Sequence, residues 1–305
     1  MHRHSCITHN RYSLAQAIPT AVSAIRYMRG GSRSLLVADA TGQPWVLKCR
    51  DNPQHDKVAL NEFLGNCIAQ DIGLSVPPFS LMRTSESIGS KLQFAPGRGQ
   101  ENIHHIHFAS AFVGSLKPGH DLEGLPPNYP HSIANMHEFA GVLALDLWLD
   151  NTDRRQAIFA RRARSRKYTA FWIDFGSCFG RDNWLLAPLG SPRLFRDRAV
   201  YDAIRSLADF EPWLSKIEGF SIDRLRQIAD QMPGEWRLGN EESLKGLLFD
   251  LTLRQQSLRR SLSSFIERRQ DIFSGWRGSM RSANTVDHFL PPAHDDAIMD
   301  WPDAI

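Results

Sequence analysis

Four side chains in this sequence have the chemistry to hold and move a phosphate: Lys48, Glu62, Asp153 and Asp174. Lys48 ends the run Trp45-Val46-Leu47, so its stem is fixed and its charged tip needs an anion. Glu62 lies in the next periodic segment, and a strand lysine paired with a helix glutamate can be aimed at nucleotide phosphates. Asp153 belongs to LDLWLDNTDRRQAIF (145–159), where an apolar run opens into Asp146, Asp150, Asn151, Asp153, Arg154 and Gln156. A carboxylate at such an exit is placed to accept a hydroxyl proton. Capping and turn roles compete for each of these residues and suit Asp150 and Asn151 best. Asp174 stands at the tip of the apolar run YTAFWI and is followed by Phe175 and Gly176. An aspartate there needs a compensating cation or donors. Mg²⁺ suits it, because that hard ion binds through one or two carboxylates plus phosphate oxygens. A fifth feature, Gly30-Gly31-Ser32-Arg33, would let backbone amides approach phosphate oxygens.

Each signal is weak alone. A Gly-Gly turn is usually only a hairpin, a strand lysine usually faces water, and Asp-Phe-Gly recurs by chance. There is no GxGxxG and no Walker A sequence. The order is what carries information. Glycine turn, strand lysine, helix glutamate, aspartate loop and strand-tip aspartate make up the parts of a phosphoryl-transfer site.

The elements that must position these groups can be read from periodicity. Residues 21–28, 34–39 and 45–49 alternate as strands around glycine turns, which predicts an antiparallel meander. From Asp56 to Gly73 the period becomes helical, with Asp56 as the expected cap and Gly73 as the stop. Residues 79–82 and 106–114 are strand-like. Residues 115–132 hold four prolines and read as a linker, with the main boundary near residue 115. Beyond it, helices are expected over 133–149, 198–208, 222–232 and 241–273, and strands over 156–160 and 168–174. The resulting division is a loose leader (1–20), a strand-rich part (21–115), a helical part (116–275) and a mobile tail (276–305).

Composition narrows the class. The 305 residues are 42% hydrophobic and 23% charged, with net charge +3, which is an ordinary globular balance and excludes fibrous or wholly disordered readings. The mild basicity tolerates an anionic ligand without requiring nucleic acid. Cys6, Cys49, Cys67 and Cys178 show no CxxC pair, so a zinc ribbon or disulfide framework is not expected. No apolar stretch approaches the roughly 20 residues of a membrane helix, and no secretory signal stands out, so a cytoplasmic location follows by elimination.

With these residues in place, the chain resembles the protein-kinase-like superfold and, within it, the HipA-like kinase domain family. The resemblance rests on residues 30–37, 46–55, 60–78, 145–159 and 173–179, and it spans residues 20–275. It implies an α+β, two-lobed fold: an antiparallel-sheet N-lobe with one helix and a mostly helical C-lobe. ATP would lie between the lobes, and the acceptor would be a Ser/Thr hydroxyl of an unidentified protein. By matching positions, Gly30, Gly31 and Ser32 would cover the phosphates. Lys48 would contact them with Glu62 orienting it. Asp153 would be the catalytic aspartate with Arg154 beside it in the cleft, and Asp174 would hold Mg²⁺. One position departs from the pattern. Five residues after Asp153, where such loops carry a metal-binding Asn, this chain has Ile158, and Gln156 is the candidate replacement. A pseudokinase scaffold, binding nucleotide weakly or not at all, is therefore the alternative to an active kinase.

Other features are assigned blander roles. His105 and His107 share a strand face but lack a telling partner, so a solvated strand end is expected. Residues 154–167 carry seven Arg/Lys and no acid, which suits an exposed hairpin turn better than an RNA site. The leucine stripe of residues 244–266 reads as core and its arginine face as solvated.

Overall fold

The structure is a computed structural model and describes residues 18–28, 30–92, 106–114, 124–161, 165–190 and 192–278. The expected leader and tail therefore fall almost wholly outside the described residues, as does half of the expected linker, residues 115–123. Five strands share one sheet: β1 (Thr20–Tyr27), β2 (Leu35–Asp39), β3 (Pro44–Lys48), β4 (Phe79–Thr84) and β5 (His107–Ala111). Their order is β1-β2-β3-β5-β4, with antiparallel pairs throughout until β1 meets β4 in parallel, Thr20 opposite Arg83 and Ala21 opposite Thr84. That last pairing closes the sheet into a barrel, whereas the strand pattern alone predicts an open meander. Closure removes the unpaired edges a meander would leave. Its interior is filled by Ala21, Leu35, Val37, Leu47, Met82 and Ala109, all buried.

Helix α1 (Val58–Ile72) connects β3 to β4. Its apolar repeat predicts one buried face, yet every residue except Gln70 and Asp71 is buried. The strands cover one side and the helical part covers the other: Phe63 meets Phe79 of β4 and Trp236, with ring centroids 6.4 and 6.2 Å apart. The cap position falls to Lys57 rather than Asp56, and no side chain caps the helix there. The Lys57 ammonium instead bonds Asn240 Oδ1 at 2.6 Å and lies over the Trp184 ring. Gly73 ends the helix at φ 87°, and the amides of Gly73 and Leu74 return to the Gln70 and Ala69 carbonyls.

A single turn, α2 (Glu86–Gly89), precedes β5, and α3 (Glu138–Trp148) opens the second part. The apolar run begins at Ile133, but its first residues are drawn to the hairpin β6 (Gln156–Ala160) and β7 (Thr169–Ile173). Tyr168 exchanges backbone bonds with Ser132 and Ala134, and Asn135 pairs both ways with Ala170 at 2.9 Å. Those backbone groups are thereby taken from the helix. The helix expected over 198–208 is replaced by two 3₁₀ turns, Arg198–Tyr201 and Leu207–Phe210. Ser206 and Asp209 form a capping box that starts a new turn there, and the Asp209 carboxylate also accepts from the Arg205 amide. Side-chain bonds of this kind compete with helix continuation.

The remaining helices are α4 (Trp213–Glu218), α5 (Ile222–Asp230), α6 (Gly234–Arg237) and α7 (Glu241–Glu267), which stops before the expected Phe273. The leucine stripe of α7 is buried in the core it shares with α1, α3, β6, β7, α4 and α5. Its arginine face is not simply solvated. Arg254 donates to the Leu147 and Trp148 carbonyls, satisfying the end of α3, and Arg259 pairs with Glu211 and Glu218. Among the described residues no helix is long and apolar enough to cross a membrane.

Candidate functional site

Three elements bring charge to one point. β3 ends on Lys48, α1 presents Glu62 in its second turn, and β7 delivers Asp174 just past its end. Lys48 is only 9% exposed and Glu62 2%. The ammonium donates to Glu62 Oε1 and to Asp174 Oδ1, the latter at 2.8 Å. Burial disfavours a charged lysine, but the two carboxylates outweigh it, and the Lys48 pKa is raised. The Lys48 charge holds the Asp174 carboxyl below its usual range despite burial. Burial has the upper hand at Glu62 and pushes its pKa up. Glu62 Oε1 also accepts the Gly176 amide at 2.8 Å, and Oε2 accepts from Asn66 at 3.2 Å. The glutamate thus ties the lysine to the backbone that follows Asp174.

Asp174 is held in the left-handed region, at φ 67°. Arg155 fixes it from behind, donating to the Ile173 and Asp174 carbonyls at 2.8 and 3.0 Å. The Arg155 guanidinium is itself buried against Asp146, whose carboxylate also accepts from Asn151 at 3.0 Å. It lies over the Phe175 ring, 4.2 Å from its centroid. Phe175 in turn packs where α1 has no side chain: a Cβ on Gly65 would stand 2.6 Å from Phe175 Cβ. Gly65→Ala is therefore expected to displace Phe175 and to cost about 1–3 kcal/mol, read as a lower denaturant midpoint with unchanged slope. An unchanged midpoint would show that the Phe175 site yields without cost.

These groups open onto a cleft of about 1200 Å³. Of the residues nominated from sequence, Gly30, Ser32, Lys48, Glu62, Asp153, Arg154, Gln156 and Asp174 line it, and Gly31 does not. Asp153 is exposed, with Oδ1 accepting the Arg154 amide at 2.7 Å and its own amide held by Asn151. Asn151 so serves the turn role expected of it. Gln156, whose amide oxygen is the expected metal ligand, contacts Asp174 with its amide nitrogen, which donates to Oδ2 at 2.6 Å. Ile158 lines the cleft at the position where a metal-binding Asn was absent from the sequence.

The residues that hold these groups in place carry little signal in the sequence. Arg154 is the arginine expected to face the cleft, yet Arg155, expected in the exposed basic turn, is buried and borders the cleft as well. Asp146 interrupting an apolar helix was the available signal, since a buried carboxylate needs a partner. Asn61 and Asn66 gave no signal beyond being polar residues in a helix that is buried on all sides. His107 is also buried, with Nδ1 accepting the Arg50 amide, and is not the solvated residue expected; His105 lies outside the described residues. In the basic turn Arg161 sits over the Tyr168 ring, while Arg162 and Arg164 lie outside the described residues. Among the described residues no three His, Cys, Asp or Glu side chains cluster for a metal.

Comparison with known proteins identifies the family and the fold. A family model, HipA-like kinase, matches residues 23–268. No curated protein matches the sequence. Among solved structures, the chain is similar to the Helicobacter pylori proinflammatory kinase CtkA, with 13% identity and a TM-score of 0.50 over 80% of this chain and 98% of that one. A Golgi casein kinase gives 12% identity and a TM-score of 0.44 over 84% of this chain and 74% of that one. At such identity the likeness to CtkA speaks for a kinase-like fold and nothing finer. The family match runs from β1 through the Lys48–Glu62–Asp174 cluster to the end of α7, and the chain belongs to the HipA-like kinase family.

Proposed function

We propose that this protein transfers the γ-phosphoryl group of ATP, with Mg²⁺, to a Ser/Thr hydroxyl of a protein. The observation that carries the reading is the Lys48 ammonium, buried and shared by Glu62 and Asp174, at the edge of a cleft that Asp153 also lines. On this reading the barrel with α1 is the N-lobe and the segment from α3 to α7 is the C-lobe, the division falling near residue 115. Lys48 binds the α/β-phosphates, and Glu62 keeps it aimed. Gly30 and Ser32, which line the cleft, cover the phosphates, with Gly31 as the link between them. Asp153 accepts the proton of the attacking hydroxyl, and Arg154 stands at the mouth beside it. The residues present fit Mg²⁺, which needs only one or two protein oxygens beside phosphate and water. Asp174 would hold it, joined by the Gln156 amide oxygen once that amide turns over. When bound, the ion neutralises charge on the phosphates.

A second reading, nucleotide binding without transfer, has two observations in its favour. Ile158 gives the cleft no ligand where a second metal would be held, and Gln156 points a nitrogen at Asp174. Calorimetric titration of ATP with and without Mg²⁺, beside Asp174→Ala, tests the common part. Mg²⁺-dependent binding is expected in the wild type, with at least about a tenfold loss in the variant. Absence of binding in the wild type would sink both readings. Binding without transfer to any protein, the chain itself included, would select the second.

A further inference from the structure

The segment after Asp174 is held in a conformation that local forces disfavour. Asp174, Phe179, Arg181 and Trp184 all lie in the left-handed region, at φ 67°, 62°, 70° and 57°. Residues other than glycine persist there only where surrounding contacts over-determine them. One side chain supplies much of that determination. Asn61 of α1 is fully buried, and its Nδ2 donates to the carbonyls of Gly176, Cys178 and Arg181 at 2.9, 3.0 and 2.8 Å. Its Oδ1 accepts the Trp184 indole N–H at 2.7 Å. An amide nitrogen has two hydrogens, so three carbonyls share them. Asn61 precedes Glu62, which takes the Gly176 amide and the Lys48 ammonium. Two adjacent residues of one helix thus grip the segment that follows Asp174, while Arg155 grips the carbonyls of Ile173 and Asp174 themselves.

We propose that Asn61 is a positioning residue for phosphoryl transfer: it pins residues 176–184 to α1, so that Asp174 stays in register with Lys48 and Glu62 without a separate ordering event in that segment. The proposal rests on the kinase reading above for its consequence in turnover, but not for its consequence in local order. A carboxamide placed merely to fill space would be an expensive choice inside a fully buried helix. Here both of its polar atoms bond to one segment, and that segment carries the charge cluster at its start.

The test uses the full chain with Asn61→Leu, which is near in shape and deletes every one of these bonds. Trp184→Phe leaves the three Nδ2 bonds in place and removes the indole donor together with part of the buried ring that Lys57 covers. Amide exchange is followed by mass spectrometry in residues 176–184 and in α7. The Mg²⁺-dependent gain in ATP affinity, kcat and KM for ATP are measured alongside. In Asn61→Leu, opening of 176–184 is expected to rise by about tenfold or more, the equivalent of losing one or two buried hydrogen bonds, with α7 unchanged. The Mg²⁺-dependent gain should shrink, and kcat should fall by a larger factor than KM rises. Trp184→Phe should move each readout the same way by less, and it decides the matter if Asn61→Leu does not fold. A uniform rise in exchange across the chain would reduce Asn61 to a packing role and overturn the proposal. So would faster exchange in 176–184 with kcat unchanged. If the wild type transfers no phosphate, the kinase reading fails separately. Unchanged local exchange and unchanged Mg²⁺-dependent affinity in the variants would then overturn the role of Asn61.

Discussion

Asp153→Asn is expected to lower kcat for phosphoryl transfer by about 10²–10⁴-fold, the usual worth of a positioned general base. ATP affinity, measured by titration calorimetry, should stay within about twofold of wild type, because Lys48, Glu62 and Asp174 carry the phosphate and metal contacts in the proposed site. The substitution keeps shape and keeps the oxygen that accepts the Arg154 amide, so the fold has little reason to respond. Asp153 is exposed in the cleft and takes no part in the buried charge cluster. A loss of nucleotide binding equal to the loss of turnover would show that Asp153 helps to hold ATP. Full activity in the variant would remove it from the reaction altogether.

Arg155→Ala is expected to be the most destabilising single change in the site, by about 3–5 kcal/mol, because it strands the Asp146 carboxylate in the core. Chemical denaturation would read this as a lower midpoint. Two losses are combined here, and they separate experimentally. Pairing Arg155→Met with Asp146→Leu removes the stranded charge and should restore most of the stability. The double variant still lacks the donor to the Ile173 and Asp174 carbonyls, so Asp174 should stay loose and Mg²⁺-dependent ATP affinity should stay low. Recovery of both properties together would show that Arg155 acts only as one half of an ion pair. Little loss of stability in the single variant would mean that water reaches Asp146.

Local pattern made much of this protein legible. An apolar run closing on Lys48 had to be a strand with its charge at the end, and β3 ends there. Gly73 was readable as a helix stop because only glycine takes φ 87° at little cost. Strand β6 appears with the bounds expected of it, and Asp174 lies beyond the tip of the next strand. These features depend on neighbours within a few residues, so the order of residues along the chain determines them.

The tertiary structure decided what depends on distant neighbours. Barrel closure joins β1 to β4 across an intervening helix and two strands, and no residue in either strand announces it. Burial of α1 on all sides follows from a second layer that its own repeat cannot report. The replacement of one helix by two 3₁₀ turns follows from a capping box that competes locally with helical bonding. Most telling is the pair of neighbours at 154 and 155. In sequence both are arginines of a basic turn, and both border the cleft, but Arg154 is exposed there while Arg155 is buried in its wall. Which one meets solvent depends on Asp146, an acid from the middle of the preceding helix, and on the carbonyls at the end of β7. Residue types and their spacing mark the groups with the chemistry for a phosphate site and the elements that carry them. Only the folded chain determined what holds those groups still, because a buried charge or amide is placed by partners that sequence order keeps apart.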